Sequence, residues 1–204
     1  MAIDLGTLQT QNNGGFVMNL EKGFVMNLEK AGKGLKNITF AASWDPAFAG
    51  EKVDIDISAL IYHNDSLQSL DDVVWYKHTN AQTLQHSGDN RDGEGEGDDE
   101  KISIKIDGLT SDVNRIRLVA TIYDFKERGQ NFGSAKNAFL TLHNDDENGK
   151  EEMRINLTSD YSMFVGIAVG DLVKKENSWQ FVSIAEGYVS LSDIYGGLDI
   201  IISN

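Results

Sequence analysis

The chain has 204 residues, no cysteine and a formal charge of −14, which is typical of one soluble domain with a substantial core. The acidic balance argues against a broad basic face for nucleic acid or anionic membrane, and the missing cysteine excludes disulfides and thiolate metal sites. No apolar run reaches the roughly 18 residues of a membrane span, and we expect a cytoplasmic protein.

The N-terminal region combines a polar leader with an unchanged duplication. Residues 1–14 lack the basic and apolar stretches of a signal peptide, so we interpret them as a loose leader before a single domain over 15–204. Residues 15–22 are repeated without change as 23–30, and each copy is predicted to be a short strand. A recent slip duplication is the favoured explanation of the repeat. The alternative is a hairpin or an exchangeable edge strand, because two identical strands offer two registers for one position.

The rest of the chain alternates short strand patterns with turns. Strands are predicted over 37–43, 53–62, 72–78, 100–106, 114–123, 135–143, 151–157, 162–173 and 178–187. One helical turn is predicted within 124–133, and the tail is compatible with a short helix over 191–198 and a closing strand over 199–203. About ten short strands and no long helical period predict an all-β fold, a two-sheet antiparallel β-sandwich with one or two short helices.

The strand predicted over 53–62 carries two carboxylates on one face. Asp54 and Asp56 are two positions apart, so their side chains point the same way. Like charges side by side on a sheet are destabilising. A solvated face would tolerate them; otherwise the pair needs a cation.

The stretch 89–100 contains seven carboxylates, three glycines and one arginine. Two carboxylates about 4 Å apart repel by roughly 1 kcal/mol in water and by more where water is partly excluded. Gly93, Gly95 and Gly97 allow positive φ angles that turn carbonyls inward, and carboxylate and carbonyl oxygens are the ligands of Ca²⁺. Such a composition is also typical of a solvated linker. The ordered strands predicted on both sides favour a metal site.

Common catalytic patterns are missing. The four histidines form neither an HExxH motif nor zinc-finger spacing; they are His63, His78, His86 and His143. His86, Ser87 and Asp89 are residue types of a triad, but adjacency in sequence is not triad geometry. The loop glycines lack the Lys and Ser/Thr of a phosphate loop, and an EF-hand register starting at Asp89 places Arg91 at a ligand position.

Six short segments form a recognisable set in this order: Trp44-Asp45, 54–59, 86–100, 131–133, 137–139 and 179–181. Together they resemble the TerD domain of tellurium-resistance and stress proteins, over about residues 20–197. The resemblance implies a calcium-binding β-sandwich without catalytic activity. It also implies a role in bacterial stress response, including tellurite, phage and colicin resistance.

The resemblance implies two Ca²⁺ ions bound by loops at one end of the sandwich. Carried over by position, the ligands are Asp54, Asp56, Asp89, Glu94, Asp98, Asp99 and Glu100. Further candidates are Asp45, Asp124 and Asp92, which stands where family members usually have Thr. We expect Asp54 and Asp56 to form a fixed wall over which the stretch 89–100 folds.

The residues and the resemblance lead to two main function hypotheses, and an enzymatic one is a third. The first is a calcium-binding stress-response module that acts through protein partners or self-association. The alternative is a structural or assembly protein, mobile-element or phage-borne, with constitutive Ca²⁺ and strand exchange through the duplicated segment. A metal-assisted phosphoesterase would require an open coordination position in a cleft. Lys77 and His78, at a place where the family commonly has asparagine, put the partner surface in doubt.

Overall fold

The computed structural model describes residues 22–27, 29–30, 33–34, 36–46, 52–176 and 178–194. Predictions on the leader, on the first copy of the duplication apart from Lys22, and on the strand over 199–203 lie outside these ranges. The described chain forms two six-stranded antiparallel sheets and one two-stranded pair, with two short helices. The predicted all-β sandwich is confirmed.

The strands and helices are numbered in chain order. The strands are β1 (Val25–Asn27), β2 (Glu29–Lys30), β3 (Lys33–Gly34), β4 (Asn37–Asp45), β5 (Ile55–His63), β6 (Val73–Val74), β7 (Asn80–Ala81), β8 (Leu84–His86), β9 (Glu100–Lys105), β10 (Val113–Ile122), β11 (Lys136–Asn144), β12 (Lys150–Asn156), β13 (Gly166–Lys175) and β14 (Ser178–Tyr188). The helices are α1 (Phe125–Arg128) and α2 (Leu157–Asp160). The first sheet has the order β1-β14-β13-β10-β5-β6, the second β12-β11-β4-β9-β8-β7, and β2 pairs with β3.

One predicted strand is largely wrong. The segment 72–78 contributes only the two residues of β6, because the backbones of Trp75 and His78 then hydrogen-bond to each other at 3.0 Å in both directions and turn the chain. On the other side, Ser69 caps a 3-10 turn over Leu70–Asp72, so no strand can begin there. The chain instead continues through β7 and β8 into the stretch 89–100, which we call the acidic loop. The sequence patterns do not reveal these two strands.

Strand β5 is buried on both faces and positions the candidate site. Its Ile55 and Ile57 pack between the sheets with Phe40, Phe132 and other core residues. The opposite face of the same sheet is covered by a second apolar cluster that comprises Leu60, Val73, Trp75, Val119, Val165, Leu191 and Ile194. Because side chains alternate along a strand, Asp56 lies on this covered outer face. No helical segment among the described residues has the length and apolar character needed to span a bilayer.

Candidate metal centre

Asp54 and Asp56 stand at the start of β5, where the strand enters the sheet. Asp54 directly precedes the strand and its carbonyl accepts a hydrogen bond of 3.0 Å from the backbone of Tyr123. Asp56 pairs in register with Thr121 of β10. Only 4% of Asp54 and 1% of Asp56 is exposed. The two carboxylates therefore lie together, as the strand period predicts, and they are buried rather than solvated.

Asp89 completes a group of three carboxylates. One oxygen each from Asp54, Asp56 and Asp89 lie within 4.8 Å of one another, and no other acidic or histidine group of three or more is this close in the described ranges. Asp54 Oδ1 and Asp56 Oδ2 are buried without a hydrogen-bond partner among those residues. Asp89 is exposed and accepts a hydrogen bond of 2.9 Å from Arg91 Nε. The two strand aspartates therefore offer unused acceptors to whatever lies between them and the loop.

The protonation of these carboxyl groups reflects their crowding. Burial, and then the charge of Asp89, raises the pKa of Asp54 from 3.8 to about 6. Burial, followed by the charges of Glu100 and Asp54, raises the pKa of Asp56 well above its usual value. In both cases the ionised form is disfavoured because it has lost water and faces like charges. A bound cation would reverse both effects.

Glu100, the first residue of β9, ties the acidic loop to β5. Its Oε2 accepts a hydrogen bond of 3.0 Å from the backbone N–H of Ile57, and its Oε1 accepts one of 3.3 Å from the backbone N–H of Asn90. The Ile57 N–H is available because β6 pairs only with Ala59 and Leu60 and stops short of it. Glu100 is fully buried, so its carboxylate serves as a backbone anchor between the two sheets.

His86 contacts Glu100 from the preceding strand. His86 Nε2 lies 3.4 Å from Glu100 Oε2, a contact rather than a well-formed hydrogen bond, while His86 Nδ1 accepts from the backbone N–H of Gly88 at 3.0 Å. Acceptance at Nδ1 places the imidazole proton on Nε2, facing the carboxylate. Burial raises the pKa of Glu100, and His86 opposes that rise. The alternation of buried and exposed side chains along β8 does not by itself indicate that His86 contacts Glu100.

Asn90 and Gly93 determine the shape of the loop. Asn90 Oδ1 accepts from the backbone N–H groups of Asp92 and Gly93 at 3.2 and 3.0 Å, and Asn90 Nδ2 donates to Asp99 Oδ1 at 3.0 Å. Gly93 has φ +68°, and a Cβ there would lie 2.5 Å from the ring and from the carbonyl oxygen of Trp44. Only glycine fits this close approach. Asn90 thus closes the loop, a role that the acidic composition concealed.

Asp99, Asp98 and Asp45 form a second acidic region beside Trp44. Asp99 Oδ2 accepts from the Trp44 backbone N–H at 2.8 Å, and Asp98 Oδ2 lies 3.9 Å from His143 Nε2. Burial raises the pKa of Asp99, the Trp44 hydrogen bond opposes this, and the charges of Asp98 and Asp45 raise it further. Asp45 itself accepts from Asn137 Nδ2 at 2.7 Å. None of these three carboxylates belongs to the group formed by Asp54, Asp56 and Asp89.

The remaining predicted ligands lie apart from the three-carboxylate group. Glu94 is exposed. Asp92 forms an ion pair of 2.5 Å with Lys52. Asp124 precedes α1 with φ +51°, and its carboxylate lies 3.7 Å from Arg128 Nε. The structure thus brings together three of the ten candidates, holds others with protein donors and leaves Glu94 in solvent.

Cationic and aromatic side chains surround the carboxylates on their open side. A cavity of about 110 Å³ adjoins Asp54 and Asp89, and its other lining residues are Tyr76, Lys77, Arg91, Tyr123 and Arg128. Lys77 lies over the rings of Trp75 and Tyr76 at 5.4 and 5.3 Å. Except for Arg91, these residues lie outside the acidic stretch, and sequence spacing could not place them here.

The chemistry of the group suits a hard cation. All three donors are carboxylates, with no imidazole or thiolate, which matches Ca²⁺ or Mg²⁺ rather than Zn²⁺. Oxygens on opposite sides of Ca²⁺ are about 4.6–5.2 Å apart, twice the bond length, whereas around Mg²⁺ they are about 4.0–4.2 Å apart. Separations of up to 4.8 Å lie within the range spanned by the oxygens around Ca²⁺.

Comparison with known proteins is consistent with this arrangement of strands and acidic loop. The model of the TerD domain matches residues 16–195. A protein named tellurium resistance protein TerD from Serratia marcescens is 37% identical over 175 residues, which is 84% of this chain and 91% of the relative. General stress protein 16U from Bacillus subtilis (strain 168) is 31% identical over 176 residues, which is 84% of this chain and 91% of the relative.

Two crystal structures share the fold. SAV2460, a protein of unknown function, superposes with a TM-score of 0.70 at 22% identity and covers 81% of this chain and 99% of its own. A homologue of telluride resistance protein (TerD), SCO6318 from Streptomyces coelicolor A3(2), superposes with a TM-score of 0.66 at 20% identity. The match covers 77% of this chain and 92% of that protein. At these identities the likeness concerns the fold alone. The match to the family model over most of the chain and the identity to the Serratia relative show that the chain belongs to the TerD domain family.

Proposed function

We propose that the chain is a calcium-binding stress-response protein in which Asp54, Asp56 and Asp89 bind one Ca²⁺. The single observation that carries this proposal is the convergence of three carboxylates, two of which are buried and have an oxygen without a hydrogen-bond partner among the described residues. An unpaired buried charge costs several kcal/mol, and proteins retain such charges where they coordinate metals. Ca²⁺ offsets this cost by replacing the lost hydration.

We propose a second Ca²⁺ in the region of Asp45, Asp98 and Asp99, whose carboxylates would have to move together to bind it. Burial raises the pKa of Asp99, and the charges of Asp98 and Asp45 raise it further, so both carboxylates act on Asp99. Asp99 also contacts Asn90, which in turn contacts Glu100, so the two regions share one hydrogen-bonded loop. Binding at one region would therefore order the backbone that serves the other.

The stress-response role rests on the relatives and the binding role on the site. Relatives are named for tellurium resistance and for general stress. We propose that this chain acts in the same kind of response through protein partners, with the metal ordering the loop that partners contact, and without catalysis. The loop is suited to this because Glu94 and Glu96 are exposed while Asn90 and Glu100 anchor its ends.

The calcium proposal is tested by titration of metal-free protein in a calorimeter, together with elemental analysis of the purified protein. Ca²⁺ at a hundredfold excess over Kd stabilises a protein by about 2.7 kcal/mol. For a domain of this size that corresponds to a rise in Tm of roughly 5–10 °C. Asp54→Asn should reduce the rise to the part contributed by the second region, and Asp107→Asn, an exposed carboxylate on the sandwich, should keep it in full.

An unchanged Tm in Ca²⁺ and in chelator, with no heat of binding, would overturn the calcium proposal. Mg²⁺ at the same concentration should give a smaller rise, since it demands near-ideal octahedral geometry and gives up its bound water reluctantly. An equal or larger response to Mg²⁺ would identify a different ion for the same residues.

An assembly role has one supporting observation. The second copy of the duplication supplies β1, which pairs with β14 at the edge of the first sheet, with Val25 opposite Val182 and Asn27 opposite Gln180. The first copy has the same residues eight positions earlier, so it offers the same faces to the same edge. Deletion of residues 15–22 should dissociate oligomers if this pairing joins chains. Unchanged oligomer size in light scattering would favour the stress-response role.

A further inference from the structure

Beside the carboxylate cavity lies a larger groove that the calcium proposal does not use. The groove has a volume of about 580 Å³ and is lined by Lys52, Arg91, Arg128 and Gln130. Arg91 and Arg128 also line the smaller cavity of about 110 Å³ over Asp54. The two arginines therefore border both the carboxylate cavity and the groove.

The cations of this groove stand out in a chain with a formal charge of −14. Among the described residues that line the groove, three are basic, and the fourth, Gln130, is 9% exposed and donates a hydrogen bond from Nε2 to the carbonyl of Lys52 at 3.0 Å. The side chains of Lys52 and Arg91 are 63% and 74% exposed. Accessible cationic side chains beside a buried, hydrogen-bonded glutamine are suited to an anion.

Each basic group now faces a carboxylate, and one of these pairs involves the metal centre. Lys52 pairs with Asp92 and Arg128 lies near Asp124, both outside the three-carboxylate group. Arg91 Nε instead donates to Asp89, a member of that group. Ca²⁺ at the centre would neutralise much of the charge that attracts Arg91, and it would free the guanidinium for another anion.

The coordination requirement of Ca²⁺ points the same way. Three carboxylates supply three to six oxygens, whereas Ca²⁺ takes six to eight. The cavity over Asp54 and Asp89 is the side from which further ligands can enter. An oxyanion that enters there reaches the ion and both guanidinium groups together, because Arg91 and Arg128 line the same cavity.

We propose that the calcium-loaded centre binds a small phosphate-bearing molecule. One phosphate oxygen binds the ion, the others accept hydrogen bonds from Arg91 and Arg128, and the rest of the molecule occupies the outer groove. Arginine matches phosphate oxygens with paired N–H donors, and a phosphate has enough oxygens to bridge the ion and two guanidiniums. The groove volume lies in the range of small-molecule sites, about 300–1,000 Å³. This inference rests on the proposed calcium site.

The test is calorimetric titration of the full chain with AMP in excess Ca²⁺ and, separately, in chelator, with adenosine as the probe that lacks phosphate. AMP should bind in Ca²⁺, at least about tenfold more weakly in chelator, and more tightly than adenosine. Arg91→Ala and Arg128→Ala should each weaken AMP binding by roughly 10- to 100-fold, the effect of a lost hydrogen bond to a charged group. Lys126→Ala is the matched control, since Lys126 is exposed on the same short helix as Arg128 but does not line the groove.

The melting temperature in Ca²⁺ separates the two proposals. A wild-type protein that is stabilised by Ca²⁺ but does not bind AMP, or binds it equally in chelator, overturns the phosphate site and leaves the calcium site standing. So does AMP binding that neither arginine variant weakens. Calcium-dependent sedimentation with phosphatidylserine vesicles, without AMP binding, overturns the small-molecule site in favour of a membrane surface. A protein without calcium stabilisation overturns the proposed function itself.

Discussion

The carboxylate of Glu100 accepts a hydrogen bond of 3.0 Å from the backbone N–H of Ile57, and this bond joins the acidic stretch 89–100, which leads into one sheet, to strand β5 of the other. Strand β6 pairs with Ala59 and Leu60 but does not extend to Ile57. Glu100 therefore satisfies the buried Ile57 N–H, which has no partner in β6. The same carboxylate accepts from the Asn90 N–H. Glu100 is therefore an anchor for the candidate site rather than a member of its three-carboxylate group.

Replacement of this anchor tests its structural role. In Ca²⁺, Glu100→Gln should lower the free energy of unfolding by roughly 1–3 kcal/mol, because one of two buried backbone donors then faces an amide N–H₂ instead of an oxygen. Urea unfolding monitored by fluorescence measures the change. Glu96→Gln, at an exposed position of the same loop, is the control and should alter stability by less than about 0.5 kcal/mol. Equal stabilities for the two variants would contradict the anchor.

The close approach of the loop to Trp44 gives a second prediction. Gly93→Ala places a Cβ 2.5 Å from the Trp44 ring and carbonyl at a φ of +68°, so both strain and a clash oppose it. We expect a loss of at least about 2 kcal/mol in unfolding free energy, together with weaker Ca²⁺ binding. Gly129→Ala is matched in φ, at +63°, but meets open space, and it should cost only about 1 kcal/mol. Similar losses would mean that the contact with Trp44 has no effect.

The raised pKa of Asp54 predicts opposite responses to pH with and without metal. Because the folded-state pKa, about 6, exceeds the usual 3.8, this group stabilises the metal-free protein below about pH 4, and that contribution is lost as the pH rises through 6. Protons and Ca²⁺ compete for the same oxygens. The calcium-induced rise in Tm should therefore be larger at pH 7.5 than at pH 5.

Differential scanning calorimetry at both pH values, with Ca²⁺ and with chelator, measures this effect. The difference in Tm between the two metal conditions cancels the pH-dependent contributions of groups remote from the site. One of these is His63, whose pKa burial lowers but whose hydrogen bonds with Asp112 and Asp72 raise it overall. A calcium-induced rise that is the same at pH 5 and pH 7.5 would show that Asp54 does not bind the ion.

The pairing of Asp54 and Asp56 could be predicted from the sequence, because the side-chain period of a strand is fixed at two. The composition of the stretch 89–100 likewise indicated a cation site. It could not show that Asp89 joins the pair while Glu100 becomes an anchor. That division depends on the turn of Asn90 and on the unpaired edge of β5, which are products of tertiary structure.

The limits of the fold prediction have a similar cause. The apolar residues Val73, Val74 and Trp75 have the composition of a strand, but the chain turns back at His78, so the predicted strand ends after two residues. Local patterns cannot reveal such a turn when it is held by hydrogen bonds such as that between His78 Nδ1 and the carbonyl of Val73. The shortness of β6 is what leaves the Ile57 N–H for Glu100.

The central claim is that the buried carboxylates destabilise the protein until Ca²⁺ binds, and the melting temperature of Asp56→Asn tests it most directly. In chelator the variant should melt above the wild type, since the substitution removes a buried carboxyl group whose ionisation is disfavoured by burial and by the charges of Glu100 and Asp54. In excess Ca²⁺ the wild type should melt above the variant, since only the wild type keeps the full ligand set. A variant that melts below the wild type by the same margin in both conditions would contradict the account.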